Sequence, residues 1–248
     1  MDPTTTLVAA GVLVLITLGI VLALRLEHPW LQPWSILRAT IQLGVLSVIL
    51  TGVISSVLWV AVFLVVMVAA AVWTIVRRLR LTMSAAWPVA LTTLVASAIP
   101  VGVVFATGAV EFSPRYVLAV GGIVIGNTMT VSTLMGRSLG SLIVMRRDEL
   151  EAWFSIGATP RQSARTILRS AASTALVPST DQTRTTGIVT LPGAFVGAIF
   201  AGSSPLEAAE FQLIVLAAIL ATGALAVAGL GLLFGAPRLL PLVERPLG

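Results

Sequence analysis

From Thr4 to Leu24 the chain runs without one charged side chain. That is enough to carry an α-helix across a bilayer, which takes about 20 apolar residues. Such runs recur from end to end, and no polar block of soluble-domain size separates them. Only 10% of the residues are charged and 57% are hydrophobic. A water-soluble domain carries roughly 25% charged residues, so water cannot be the main solvent of this fold. The chain reads as one membrane domain over 1–248, all-α and polytopic, with a single large loop at about 137–186.

Leu37–Val76 is twice a span in length and holds Thr51, Gly52, Ser55 and Ser56 near its middle, so two helices joined by a tight turn are expected. Ala86–Thr107 is a fourth span, with a kink at Pro100. Ser113-Pro114 has the form of an N-cap followed by a first-turn proline, opening a fifth span over Tyr116–Met135. Gly187–Gly202 is a short sixth span interrupted at Pro192-Gly193. Ser204-Pro205-Leu206-Glu207 is a capping box that opens the last span, which ends near Phe234. Seven spans follow.

All 15 basic residues are arginine. With the N-terminus outside and the C-terminus in the cytoplasm, every arginine but Arg115 falls on the cytoplasmic side, among them Arg184, Arg238 and Arg245. The positive-inside rule therefore sets that orientation in a cell inner (plasma) membrane. The net charge of +5 belongs to short loops between spans, so it implies membrane topology and no nucleic acid. A phosphate-binding P-loop needs GxxxxGK[ST]. With no lysine, the chain is expected to bind no ATP-Mg, and no other cofactor. The absence of cysteine excludes disulfides and thiolate metal sites. The first run lacks a basic flank and a small-residue cleavage site, so it reads as a retained helix.

The polar stretch holds two helices meeting at a sharp corner. Gly157 is a helix stop, and Thr159-Pro160-Arg161-Gln162 is a second capping box. Ile156, Gly157, Ala158, Thr159, Pro160, Arg161 and Gln162 form the corner, with Glu149 and Glu151 at its rim. Beyond it Arg161, Arg165 and Arg169 make a basic stripe. One reading is a corner that docks into a cleft of a partner. The other is an interfacial hairpin whose arginines pair with anionic lipid head groups.

Polar side chains at membrane depth face a bundle interior or a water-filled cavity. Asn127, Thr128 and Thr130 cluster on the fifth span, where they either line a path or bond neighbouring helices. Arg38 and Gln42 stand one turn apart on the second span, where Arg38 also fits a side chain snorkelling to head groups. Pro192-Gly193 frees a carbonyl toward a cavity or makes a plain packing kink. The GxxxG spacings Gly122–Gly126 and Gly193–Gly197 permit close helix contact, within the chain or in a homodimer. His28, the sole histidine, belongs to a loop, and Glu111, Glu207 and Glu210 lie at the outer face in this topology. No metal site can be assigned from the residues. The chain has no HExxH and no histidine within a span, which argues against an enzyme. A secondary transporter or channel, working without an ATPase, is the alternative transport reading.

Several segments carry a resemblance. Glu151-Ala-Trp-Phe-Ser-Ile-Gly-Ala-Thr-Pro-Arg-Gln162 is similar to the EAA-type coupling segment of ABC permeases. Arg38-Ala-Thr-Ile-Gln42-Leu43, Gly126-Asn127-Thr128-Met129, Gly187-Ile-Val-Thr-Leu-Pro-Gly193, Ala201-Gly-Ser-Ser-Pro205 and Gln212 follow in the order of the FetB-type permease family. Members of that family are associated with iron export, with plant relatives linked to aluminium tolerance. The resemblance implies a permease subunit that exports a metal ion such as iron, as a homodimer in membrane lipid, driven by a separate P-loop ATPase that binds ATP-Mg. It also implies that the corner is the coupling element; Arg38, Gln42, Asn127, Thr128, Thr130, Pro192, Gly193 and Gln212 are the candidates for the path. The chain departs from the family at Asn127-Thr-Met-Thr130, where Asn-Ala-Met-Asn is usual.

Overall fold

The computed structural model describes residues 2–235. Arg238 and Arg245 lie outside these residues. The described chain is helical throughout, apart from turns and one isolated bridge between Thr186 and Thr190. It forms two compact units, Met1–Ser55 and Ser56–Gly248.

The first unit is a pair of helices packed on each other, α1 (Pro3–Ala23) and α2 (Leu31–Val53). Asp2 caps α1 by accepting a hydrogen bond from the Thr4 amide. Arg25 and His28 take left-handed backbone conformations in the intervening turn, with φ of 51° and 58°. The second helix begins six residues before the expected Leu37, because the turn residues Pro29 and Trp30 allow a helix to start directly after them.

The second unit contains α3 (Val57–Arg78), α4 (Ala86–Ala106), α5 (Pro114–Met145), α6 (Arg147–Ser155), α7 (Pro160–Ser163), α8 (Arg165–Thr185), α9 (Gly193–Phe200) and α10 (Pro205–Phe234). The turn expected within Leu37–Val76 falls at Ile54–Ser56, and Ser56 caps α3 through the Trp59 amide. Ser204 and Glu207 form the reciprocal capping box expected at the start of α10.

Side-chain pairings give each helix its direction. Tyr116 packs on Phe211 near the starts of α5 and α10, and Asn127 bonds to Ile219 farther along both, so these two helices are parallel. Leu64 and Leu79 lie against Gly121 and Gly136, making the α3 segment parallel to α5 as well. The opposite sense belongs to α4, where Thr92 meets Gly229 while Val104 clusters with Val120 and Ala218. It also belongs to α8, where Leu168 meets Gly231 and Leu176 meets Gly223.

Three buried apolar clusters fill the body. One joins Ala96, Val131, Met135, Ala175, Ala226 and Leu230 across α4, α5, α8 and α10. Close approach sets one limit. A Cβ on Gly229 would stand 2.6 Å from Thr92 Cγ2 on α4. Gly229→Val is therefore expected to lower stability by about 1–3 kcal/mol through overpacking. Thermal unfolding in detergent reads this out, and an unchanged melting curve would mean that α4 and α10 do not press together there.

Six helical segments of the described residues are long and apolar enough to cross a membrane, so this is a polytopic all-α membrane protein. The sixth span expected at Gly187–Gly202 is not among them. It is a turn followed by the eight-residue α9, about 12 Å long at 1.5 Å per residue. Pro192 does not interrupt a helix but precedes one, where its missing N–H costs nothing. The fifth span is ten residues longer than Tyr116–Met135 at its C-terminal end, so Arg137 sits within a helix rather than a loop. Arg184, grouped by sequence with the other loop arginines, stands 19 residues along α8 from Arg165, about 29 Å away.

Candidate functional site

The corner is built from two complementary stops. Helix α6 ends with Gly157 at φ +83°, the left-handed conformation that a side chain disfavours. The Gly157 amide donates to Phe154 O and the Ala158 amide to Trp153 O, both at 3.0 Å. This is a Schellman pair, which satisfies the last carbonyls of α6. Two residues later Thr159 opens α7. Its Oγ1 accepts from the Gln162 amide, and Gln162 Oε1 accepts from the Thr159 amide at 2.8 Å. Pro160 occupies the first helical position.

Apolar packing fastens this corner to the body. Leu150 of α6 is fully buried with Leu139 of α5 and with Ala164, Ile167 and Ala171 beyond the corner. Glu149 and Glu151 are held on their own helix, by Arg146 at 3.8 Å and Arg147 at 2.6 Å. Ile156 projects with 75% of its surface exposed. A groove of about 550 Å³ opens at the corner between Trp153, Ile156, Ala158, Gln162, Arg165 and Arg169. Most of the expected coupling residues are thus brought together. Trp153, Arg165 and Arg169 join them on the groove, and the i, i+4 spacing of the two arginines was the available signal.

The expected path residues separate. Asn127 Nδ2 donates to Ile219 O at 2.9 Å, and its Oδ1 accepts from Ser179 Oγ at 3.1 Å, so one amide ties α5 to α10 and α8. Thr128 is buried, bonds to Val124 O, and shares a hydrogen bond with Ser97 of α4. Thr130 bonds to Gly126 O on the exposed side of α5. Gln212 is buried with its Oε1 unpartnered among the described residues, as are the Ser132 and Thr222 hydroxyls. Pro192 and Gly193 lie at the start of α9. Arg38 and Gln42 are exposed on α2 in the first unit.

No group of three or more metal-ligating His, Cys, Asp or Glu side chains occurs among the described residues. The larger groove of the second unit, about 860 Å³, is lined by apolar residues such as Leu64, Trp73, Trp87 and Leu94, and offers a polar solute almost nothing.

Comparison with known proteins bears on what such a membrane helix bundle with a capped corner is for. The profile of the uncharacterised protein family UPF0014 matches residues 4–236. The chain belongs to UPF0014. Within UPF0014 it is similar to the probable iron export permease protein FetB of Escherichia coli, 31% identical over 77% of this chain and 75% of the relative. It is 31% identical to the UPF0014 membrane protein STAR2 of rice, over 84% of this chain and 74% of that protein. The UPF0014 membrane protein YjkA of Bacillus subtilis is 30% identical over 76% of each chain. No solved structure matches this UPF0014 chain. The permease name among the relatives points to transport rather than catalysis.

Proposed function

We propose that this chain is the permease subunit of an ABC transporter that exports a metal ion such as iron, with ATP hydrolysed by a separate P-loop ATPase docked at the α6–α7 corner. The corner carries this reading. It is rigidly capped on both sides, it presents an exposed isoleucine and an arginine-lined groove, and the Leu150 cluster links it to α5 and α8. Force applied at Ile156–Gln162 therefore reaches the helices of the body directly. The absence of lysine, hence of a P-loop lysine, supports placing hydrolysis on another chain, and the FetB relative supports the cargo. The subunit acts as a homodimer in the inner membrane, N-terminus outside and C-terminus cytoplasmic, with the corner on the cytoplasmic side.

In that arrangement closure of the paired ATPases tilts the corner. The motion passes through the Leu150–Ile167 contact into α5 and α8, and the three-helix bond at Asn127 keeps α10 in step. ATPase co-purification followed by activity in reconstituted vesicles, across a panel of metal ions, tests this. ATPase stimulation by at least one metal ion is expected. Transport that needs only an ion gradient, with no ATPase bound, would establish the secondary-transporter reading instead.

A further inference from the structure

Because α5 and α10 are parallel, the chain between them must return from the end of one to the start of the other. The long element available is α8, whose 21 residues extend about 31 Å, and the eight-residue α9 adds about 12 Å before the start of α10. It packs antiparallel to both neighbours along its length. Its outward face is unlike those of the other long helices of this unit. Arg165, Arg169, Ser173, Val177 and Asp181 form an exposed i, i+4 stripe, and Val177 is the one large apolar side chain that α8 exposes. Pro178 also lacks the amide that would bond the Thr174 carbonyl, on an exposed turn.

Depth follows from the bonds already described. Ser179 meets Asn127, which is 13 residues, about 20 Å, from the start of α5. Asp181, two residues farther along α8, lies about 17 Å from that end, near the middle of the core. It forms no ion pair within the described residues, and Arg184 three residues on does not neutralise it. Thr130 presents a further hydroxyl on the exposed side of the adjoining α5. An ionisable side chain at such depth faces water or protein, not lipid.

We propose that α8, completed by α9, is the remaining membrane crossing and that its stripe from Ser173 to Asp181 is a wall of the water-filled path. Asp181 is the charged group that a cationic solute meets at mid-depth. The cargo class rests on the transporter reading above, whereas the crossing and its water access do not depend on any ATPase.

The chain has no cysteine, so single-cysteine reporters carry no background. Ile156→Cys and Leu206→Cys, the latter at the exposed start of α10, are expected to react with an impermeant maleimide from opposite sides of the membrane. Val177→Cys is expected to react with small water-soluble thiosulfonates, while Leu213→Cys on the exposed face of α10 stays unreactive. A cationic thiosulfonate should label Val177→Cys about tenfold faster than an anionic one, from a unit charge one turn away, and Asp181→Asn should bring that ratio near one. Ser173→Cys supplies the same readout should the Val177 variant fail to insert. Labelling of positions 156 and 206 from one side, inertness of positions 173 and 177, or a ratio indifferent to Asp181→Asn would each overturn the proposal. Loss of ATPase coupling would leave all these labels unchanged, so the two ideas fail separately.

Discussion

Gly157→Pro is expected to reduce stimulation of the proposed partner ATPase by at least about tenfold while the protein still inserts and folds. Proline fixes φ near −65° and has no amide hydrogen. Gly157 stands at φ +83° and donates to Phe154 O, so the substitution removes both the conformation and the bond that turn the chain. The combined cost, about 3 kcal/mol, falls on the corner. The Leu150 cluster and the helices behind it are untouched. The measurement is nucleotide hydrolysis by the reconstituted complex beside a thermal unfolding curve. Full stimulation in a variant that melts normally would remove the corner from the coupling route.

Asn127→Asp is expected to destabilise the body by about 3 kcal/mol or more, although the two side chains have nearly the same shape. Asn127 donates to a carbonyl at 2.9 Å with one side of its amide and accepts from Ser179 with the other. An aspartate keeps the acceptor but turns the donor into a second oxygen facing Ile219 O. A partly buried charge without a partner costs about 3–5 kcal/mol. A typical interhelical hydrogen bond in a membrane is worth about 0.6 kcal/mol, so misplaced charge, not the lost bond, dominates. Asn127→Leu should accordingly be the milder change, and a reversed order in detergent melting experiments would show that the amide faces water instead.

Much of the bundle is legible in the sequence because apolar length alone marks α1, α3, α4 and α10, and because caps announce themselves. Ser204 with Glu207, Thr159 with Gln162, and Gly157 are short-range signals whose geometry depends on few neighbours. Helix α8 has no such transparency. Its buried stripe of Ile167, Ala171, Ala175 and Ser179 is small and one-sided, and its other face is polar. A hydropathy reading therefore places it in a loop and groups Arg184 with Arg165, which stands at the opposite end of the same helix. The role of Asn127 was hidden for the same reason, since its partners Ser179 and Ile219 lie far away along the chain. The corner was readable locally, whereas its groove needed Arg165 and Arg169 to come around behind Trp153.

The reversal of direction at α8 also bears on how the protein is made. A helix with Asp181 and several arginines cannot partition into a bilayer alone, because each such residue costs about 2.5–3.5 kcal/mol near the centre during insertion. Its buried face is received by Asn127 and the glycines of α10, while its charged face needs the water-filled path. Helix α5 is synthesised first and α10 last, so α8 emerges before half of its berth exists. A chain growing in this order holds α8 at the membrane surface until α10 has entered, and the final crossing closes from the C-terminal side.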